Sequence, residues 1–222
     1  MRKQKIRSLV LSVILVLGGW EIIHAQSHAR SDDQGRAFDY YVLSLSWSPE
    51  FCAGSPHERV SAQCKGERKF GFVVHGLWPQ YEHGYPEFCR SRSRIDRHII
   101  QQLLPIMPNE GLIRYQWKKH GSCSGLTTRQ YAEKIEDAFA LVTIPSQYKN
   151  PIQSITVNVR DLKHNFVAVN RHFTEQSFAV TCKGTFLREV RVCLDKELNP
   201  RQCGSEIRDA CRSGTALLRP VR

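Results

Sequence analysis

The stretch FVVHGLWPQ, Phe72 to Gln80, decides how the rest of this chain is read. The short apolar run Phe70 to Leu77 has charged residues before it and Trp78-Pro79 after it, which predicts a strand. His75 falls at the end of that strand, with Trp78 three residues on. Toward the N-terminus, Phe38 to Trp47 alternates in part and reads as a second strand. Tyr41, Leu43, Leu45 and Trp47 lie on one side of it, Ser44 and Ser46 on the other. Toward the C-terminus, Leu112 to His120 reads as a helix ended by Gly121. Thr127 to Val142 gives the clearest helix. It opens with a Thr127–Gln130 capping box and carries Tyr131, Ile135, Ala138, Phe139 and Val142 on one apolar face. Ser177 to Cys182 and Leu187 to Leu194 predict two later strands, with Lys183-Gly184 inside the turn between them. Strands and helices are interspersed without regular βαβ units, so the predicted class is α+β. No internal repeat or long linker divides residues 30–222, which predicts one domain there.

Composition sets the outer limits. The chain has 222 residues and 25.5 kDa, with 41% hydrophobic and 24% charged residues, enough for a buried core and too apolar for wholesale disorder. Lys and Arg total 32 against 21 acidic residues, a formal charge of +11. A collagen, a coiled coil, a polytopic membrane protein and a low-complexity tail are excluded, and the charge points to polyanions or anionic surfaces as partners. The first thirty residues read as an address. Arg2, Lys3, Lys5 and Arg7 precede the uncharged run Ser8 to Trp20, and Ala25 and Ala29 are candidate cleavage points. That run is short for a bilayer span, so a signal peptide over 1–25 is favoured over a retained anchor. Cleavage after Ala25 removes four bases and one acid from +11, leaving +8. Export to the periplasm or the medium follows as an expectation.

Eight cysteines, an even number, fit an exported chain with four disulfides, although spacing alone permits about 105 pairings. No Cys-x-x-Cys occurs, which disfavours zinc ribbons and thioredoxin-type redox sites. A second segment, YQWKKHGSC from Tyr115 to Cys123, again combines histidine, aromatic side chains and glycine. On a helix, Gln116 and His120 lie four apart on one face with Lys119 beside them. Two imidazoles can act as proton acceptor and donor in one turnover, an ammonium can balance charge on a phosphoryl oxygen, and an indole can stack a base. Taken singly, each histidine is more often an ordinary surface or core residue, and the tryptophans equally fit a plain core. The residues alone therefore give a basic exported α+β protein with nucleic acid as one possible target.

FVVHGLWPQ resembles the first active-site segment of the ribonuclease T(2) family. QWKKHGSC resembles its second, usually written E-W-x-K-H-G-T-C, and EVRVCLDKEL (Glu189 to Leu198) with Cys203 resembles the C-terminal part of bacterial members. The likeness runs from about Phe38 to Cys211. It implies a twisted, mainly antiparallel sheet with helices around it. It also implies an exported endoribonuclease that cuts single-stranded RNA, not DNA, through a 2′,3′-cyclic phosphate to a 3′-phosphate, with weak base preference. The resemblance makes His75 and His120 the catalytic histidines, with His120 leaning towards base and His75 towards acid. Lys119 becomes the stabiliser of the phosphorane, and Gln116 stands at the family's glutamate. Trp78, Gln80 and one of Tyr81 or Tyr85 fall where the family holds a base, and Tyr115 where many members have a histidine near phosphate. It further implies the pairs Cys52–Cys64, Cys89–Cys123, Cys182–Cys211 and Cys193–Cys203, no cofactor, no metal, a monomer, and no membrane association after signal removal.

Gln116 loses the family's negative charge, and this raises the alternative of a catalytically weakened RNA-binding relative. A disulfide-stabilised adhesion or inhibitor module would explain the cysteines and the charge but not the two motifs. Arg90, Arg92, Arg94 and Arg97 either track a phosphate backbone or only keep the surface soluble.

Overall fold

Strand β1, Tyr40–Trp47, is the spine on which the other elements are hung. The structure is a computed structural model describing residues 37–54 and 61–221; the signal reading over residues 1–25 lies outside the described residues. After β1 come α1 (Ser48–Cys52), α2 (Ala62–Lys65) and β2 (Phe72–Gln80). Three helices follow: α3 (Arg97–Leu103), α4 (Glu110–Lys119) and, after a 3-10 turn at Gly121–Cys123, α5 (Thr128–Ala140). The second half holds α6 (Ser146–Lys149), β3 (Ile155–Asn158), α7 (Val159–Val169), β4 (Phe178–Lys183), β5 (Phe186–Leu194) and β6 (Thr215–Leu218).

The sheet has the order β2-β1-β5-β6-β3, with β4 paired to β5. Every pairing is antiparallel except the short β5–β6 contact. Together with the surrounding helices this is the α+β class expected. Alternation along β1 works as read: Tyr41, Leu43, Leu45 and Trp47 enter the main core, where α3, α4, α5 and α7 cover them with Ile99, Ile113, Trp117, Tyr131, Ile135 and Phe166. The other face is not solvent, however. Ser44 is fully buried, and Tyr40 and Val42 pack with Cys193, Trp78, Cys203 and Ile207 in a second, smaller cluster.

Strand β2 differs from its prediction in a way that matters. It runs on through Trp78-Pro79 to Gln80 and begins at Phe72. Proline is tolerated because β2 is an edge strand in the sheet order, where a missing N–H need not break a ladder. A register shift between Ser44 and Leu45 pairs Ser44 with Gly76 and Leu45 with Val74, leaving His75 as the extra residue of a β-bulge.

Helix α5 carries the expected Thr127–Gln130 capping box, and α4 starts at an Asn109 cap and stops at Lys119. His120 is the C-cap of α4, and its N–H donates to the Gln116 carbonyl at 2.9 Å. Gly121 is required next: a Cβ there would lie 2.5 Å from Trp117 and 2.7 Å from Tyr131. Lys183 belongs to β4, so the β4–β5 turn centres on Gly184, whose φ of +63 favours glycine. Disulfides join Cys52–Cys64, Cys89–Cys123, Cys182–Cys211 and Cys193–Cys203, the four pairs implied above. Among the described residues no helix is long and apolar enough to cross a membrane.

Candidate active site

The bulge in β2 builds the centre of the site. In an uninterrupted strand His75 and Trp78, three apart, would point to opposite faces. With His75 inserted, both turn to the face shared by Ser44 and Val42, and their rings meet edge to face at 5.4 Å. Strand β5 supplies the same face with Glu189 and Arg191, which pair with Ser46 and Ser44.

Helix α4 closes over that face. Trp78 donates its Nε1–H to Gln116 Oε1 at 2.8 Å, above Gly76. A Cβ on Gly76 would lie 2.3 Å from Gln116 Oε1 and 2.5 Å from Trp78 Nε1, so only glycine lets helix and strand approach this closely. The indole then stacks on His120, with ring centroids 5.4 Å apart and planes 30° apart. One indole thus lies between two imidazoles that are distant in sequence. All three rings line a cleft of about 420 Å³ together with Gln80, Tyr85, Tyr115, Gln116 and Lys119.

The two histidines have opposite surroundings. His75 is half-buried, and its Nδ1 lies 2.8 Å from Oε1 of Glu189, a side chain only 1% exposed. Arg191 holds the other carboxylate oxygen through Nε at 3.0 Å and Nη2 at 2.8 Å. Burial pushes the Glu189 carboxyl up, but the His75 hydrogen bond and the Arg191 charge outweigh it and hold the group at about 2. A carboxylate acceptor fixes the Nδ1–H tautomer of His75 and leaves Nε2 as its other polar atom. His120, by contrast, is 5% exposed, and its Nδ1 has no hydrogen-bond partner among the described residues. Burial, then the Lys119 ammonium, then His75 bring it down to about 3, so its imidazole is neutral at ordinary pH.

Burial alone would lower the Lys119 amine, but it lies 3.3 Å from Glu87, whose hydrogen bond and charge turn the shift upward. Its ammonium faces the rings of Tyr85 at 5.6 Å and Phe88 at 5.9 Å. The Cys89–Cys123 bridge and a 2.8 Å bond from the Phe88 N–H to the Lys119 carbonyl tie the loop after β2 to the end of α4.

Of the residues marked for a base, Trp78, Gln80 and Tyr85 line the cleft, whereas Tyr81 does not. Tyr81 is buried in the main core, and Tyr85, half-exposed with its ring 6.0 Å from His120, is the one of the two that reaches the cleft. The reason is local: the turn closed by the Tyr81 N–H on the Gly84 carbonyl folds Tyr81 inward before the chain re-emerges. Tyr115 is half-exposed at the cleft rim, edge-on to Phe88. Gln116 is placed to hold Trp78 and, through it, the stacked His120 ring. Glu189 and Arg191 are the residues that sequence reasoning missed. Their signal was two charged side chains at i and i+2 inside an apolar strand, which places both on one buried face. Among the described residues, no group of three or more His, Cys, Asp or Glu could hold a metal ion.

The comparisons with known proteins agree with this arrangement. A ribonuclease of Aeromonas hydrophila is 31% identical over 236 residues, covering 97% of this chain and all of that protein. A probable ribonuclease of Haemophilus influenzae is 33% identical over 145 residues, 60% of this chain and 53% of that protein. Among solved structures, an RNase-related protein from Calystegia sepium superposes with a TM-score of 0.67 at 24% identity, covering 84% of this chain and 98% of that one. Ribonuclease MC1 from the seeds of bitter gourd gives 0.58 at 21% identity, over 78% and 97%. Residues 38–203, the span holding both histidines, the lysine and the β5 carboxylate, match the model of the Ribonuclease T2 family. The chain belongs to the Ribonuclease T2 family and is a ribonuclease.

Proposed function

We propose that this enzyme cuts single-stranded RNA by transphosphorylation, with His120 as base, His75 as acid and Lys119 as the charge that steadies the phosphate. The observation that carries the reading is the asymmetry of two imidazoles on one indole: one neutral and buried, the other paired to a carboxylate. The neutral form of His120 is the one that can accept a proton, and the Glu189 carboxylate orients His75 so that its Nε2 faces the cleft as donor.

In the first step His120 takes the proton of the ribose 2′-OH. Its Nδ1 is sealed from solvent, so Nε2 is the nitrogen that meets the substrate. The 2′-oxygen then bonds to phosphorus, the bond from phosphorus to the 5′-oxygen breaks, and Nε2–H of His75 gives its proton to that 5′-oxygen. Charge that builds on the non-bridging oxygens faces the Lys119 ammonium. The product is a 2′,3′-cyclic phosphate. With the two histidines exchanging roles, water opens it to a 3′-phosphate. A substrate without a 2′-OH has no nucleophile, which is why DNA is not cut. Trp78 and Tyr85 offer faces for a base, and stacking discriminates weakly between bases. The reading includes export: four disulfides suit an oxidising compartment.

The test is the purified protein on RNA in excess EDTA. Cyclic-phosphate product is expected, and His75→Ala or His120→Ala each lowers kcat/KM by at least about a hundredfold. Binding without cleavage would support the weakened-relative alternative, which rests on Gln116.

A further inference from the structure

The basic run CRSRSRIDR, Cys89 to Arg97, is not used by the cleft. From Cys89 to Asp96 the chain has no helix or strand, yet it is firmly anchored along α4, running backwards from the catalytic end. The Phe88 N–H meets the Lys119 carbonyl, and Cys89 is bridged to Cys123. Farther on, Trp117 Nε1 donates to the Ser93 carbonyl at 3.0 Å and Arg114 Nη1 to the Ile95 carbonyl at 3.2 Å. The backbone is held while Arg90, Arg92, Arg94 and Arg97 are all exposed. The neighbouring carboxylates are engaged elsewhere: Glu87 with Lys119, Glu110 with Arg114, and Asp96, the N-cap of α3, with the Ile99 N–H.

The start of this surface carries a strained aromatic. Phe88 is half-exposed at φ +51, a conformation a bulky residue holds only when its surroundings impose it. Lys118 and Lys119 face its ring at 6.0 Å and 5.9 Å, and Tyr115 meets it edge-on at 6.2 Å. Beside it a second cleft of about 350 Å³ is lined by Ser91, Ser93, Arg94, Trp117, Lys118 and Ser122. An exposed ring flanked by cations, followed by spaced arginines, is the surface that a single strand requires: a face for a base and charges for its phosphates.

We propose that the surface from Phe88 to Arg94 with Lys118 is an extended subsite for single-stranded RNA, outside the central cleft and continuous with it through Lys119. Phe88 stacks a base, and Arg90, Arg92, Arg94 and Lys118 hold phosphates of nucleotides that are not at the scissile bond. The proposal rests on the endoribonuclease reading and extends it to long substrates. An anionic membrane is the poorer occupant, because interfacial binding needs several apolar side chains beside the bases, and serines separate these arginines.

The experiment compares the full chain with the triple variant Arg90→Ser, Arg92→Ser, Arg94→Ser in three assays. The first is binding of an uncleavable 2′-O-methyl oligonucleotide of roughly twenty nucleotides across a salt series; the expected result is binding about tenfold weaker at low salt and a log–log salt slope shallower by about two. The second is cleavage of a dinucleoside monophosphate, which reports the central cleft; it is expected to be the same for both proteins. The third is binding to phosphatidylglycerol vesicles. Unchanged oligonucleotide binding overturns the proposal, as does an equal loss on the dinucleotide. Loss of vesicle binding alone assigns the run to a lipid surface and also overturns it. If neither protein cleaves the dinucleotide, the nuclease reading fails, and the oligonucleotide assay still decides the subsite.

Discussion

Gln116→Glu exchanges one amide for one carboxylate at almost constant shape. The pocket leaves no room for anything larger, since Oε1 lies where a Gly76 Cβ would collide and accepts the Trp78 Nε1–H at 2.8 Å. A carboxylate oxygen keeps that bond, so what changes is charge. The indole it grips is stacked on His120 with ring centroids 5.4 Å apart, so the new anion sits beside the imidazole. A neighbouring opposite charge moves a titration by about two pH units, on the order of 3 kcal/mol. Burial, Lys119 and His75 hold His120 at about 3 in the native chain, and a neighbouring anion offsets them. In the proposed mechanism His120 must be neutral to accept the 2′-OH proton, so activity should rise as pH climbs through its titration. The ascending limb of kcat/KM should therefore move from near pH 3 to roughly pH 5 in the variant. The measurement is kcat/KM for a dinucleoside monophosphate from acid to neutral pH, in both proteins at constant ionic strength. If neither limb moves, the electrostatic account of His120 is refuted; if the descending limb moves to higher pH while the ascending limb stays, its assignment as base is refuted.

Glu189→Gln keeps the shape beside His75 and removes its anion. A kcat lowered by ten- to a hundredfold is expected, with KM little changed; an unchanged kcat removes Glu189 from the support of His75. Acid should destabilise the fold through His120. The unfolded histidine takes its proton near pH 6.5, whereas the folded one stays neutral down to about 3, so stability falls as pH drops through that window. Between pH 6.5 and 4 the loss from this group is on the order of 3 kcal/mol, and His120→Asn should flatten that part of the urea-unfolding profile. Replacing Cys89 and Cys123 together by serine opens a loop closed over 34 residues and should lower stability by about 4 kcal/mol in the same assay. Cleavage should weaken with it, because the loop that carries Glu87 and Phe88 loses its tie to the end of α4; full activity in that variant would show that the hydrogen bonds suffice. Gly121→Ala should cost about 1–3 kcal/mol, read as a lower Tm, unless Trp117 and Tyr131 can move aside.

Local pattern carried much of the fold. Alternation in Phe38 to Trp47, the capped apolar face of Thr127 to Val142 and the paired runs around Gly184 all report which side of a segment is buried, and each corresponds to an element found there. Strands β3 and β6 are only four residues long, too short for alternation to register. Helix α7 is absent from the predicted elements although Val159, Leu162 and Phe166 have helical spacing. The histidines and the lysine were legible through two motifs. Their chemistry was not, because it depends on partners brought from elsewhere. Glu189 is 114 residues from His75, and Gln116 is 38 from Trp78. The choice between Tyr81 and Tyr85 turned on a single tight turn. Short-range pattern and residue type settled the element types, the cysteines available for bridging and the residues able to move protons. Tertiary structure decided that a one-residue bulge turns His75 toward Trp78, that one imidazole meets a carboxylate and that the other is buried without one. The physical reason is range: side-chain periodicity is written within a few residues, whereas desolvation and charge at a site are sums over neighbours that only the folded chain assembles.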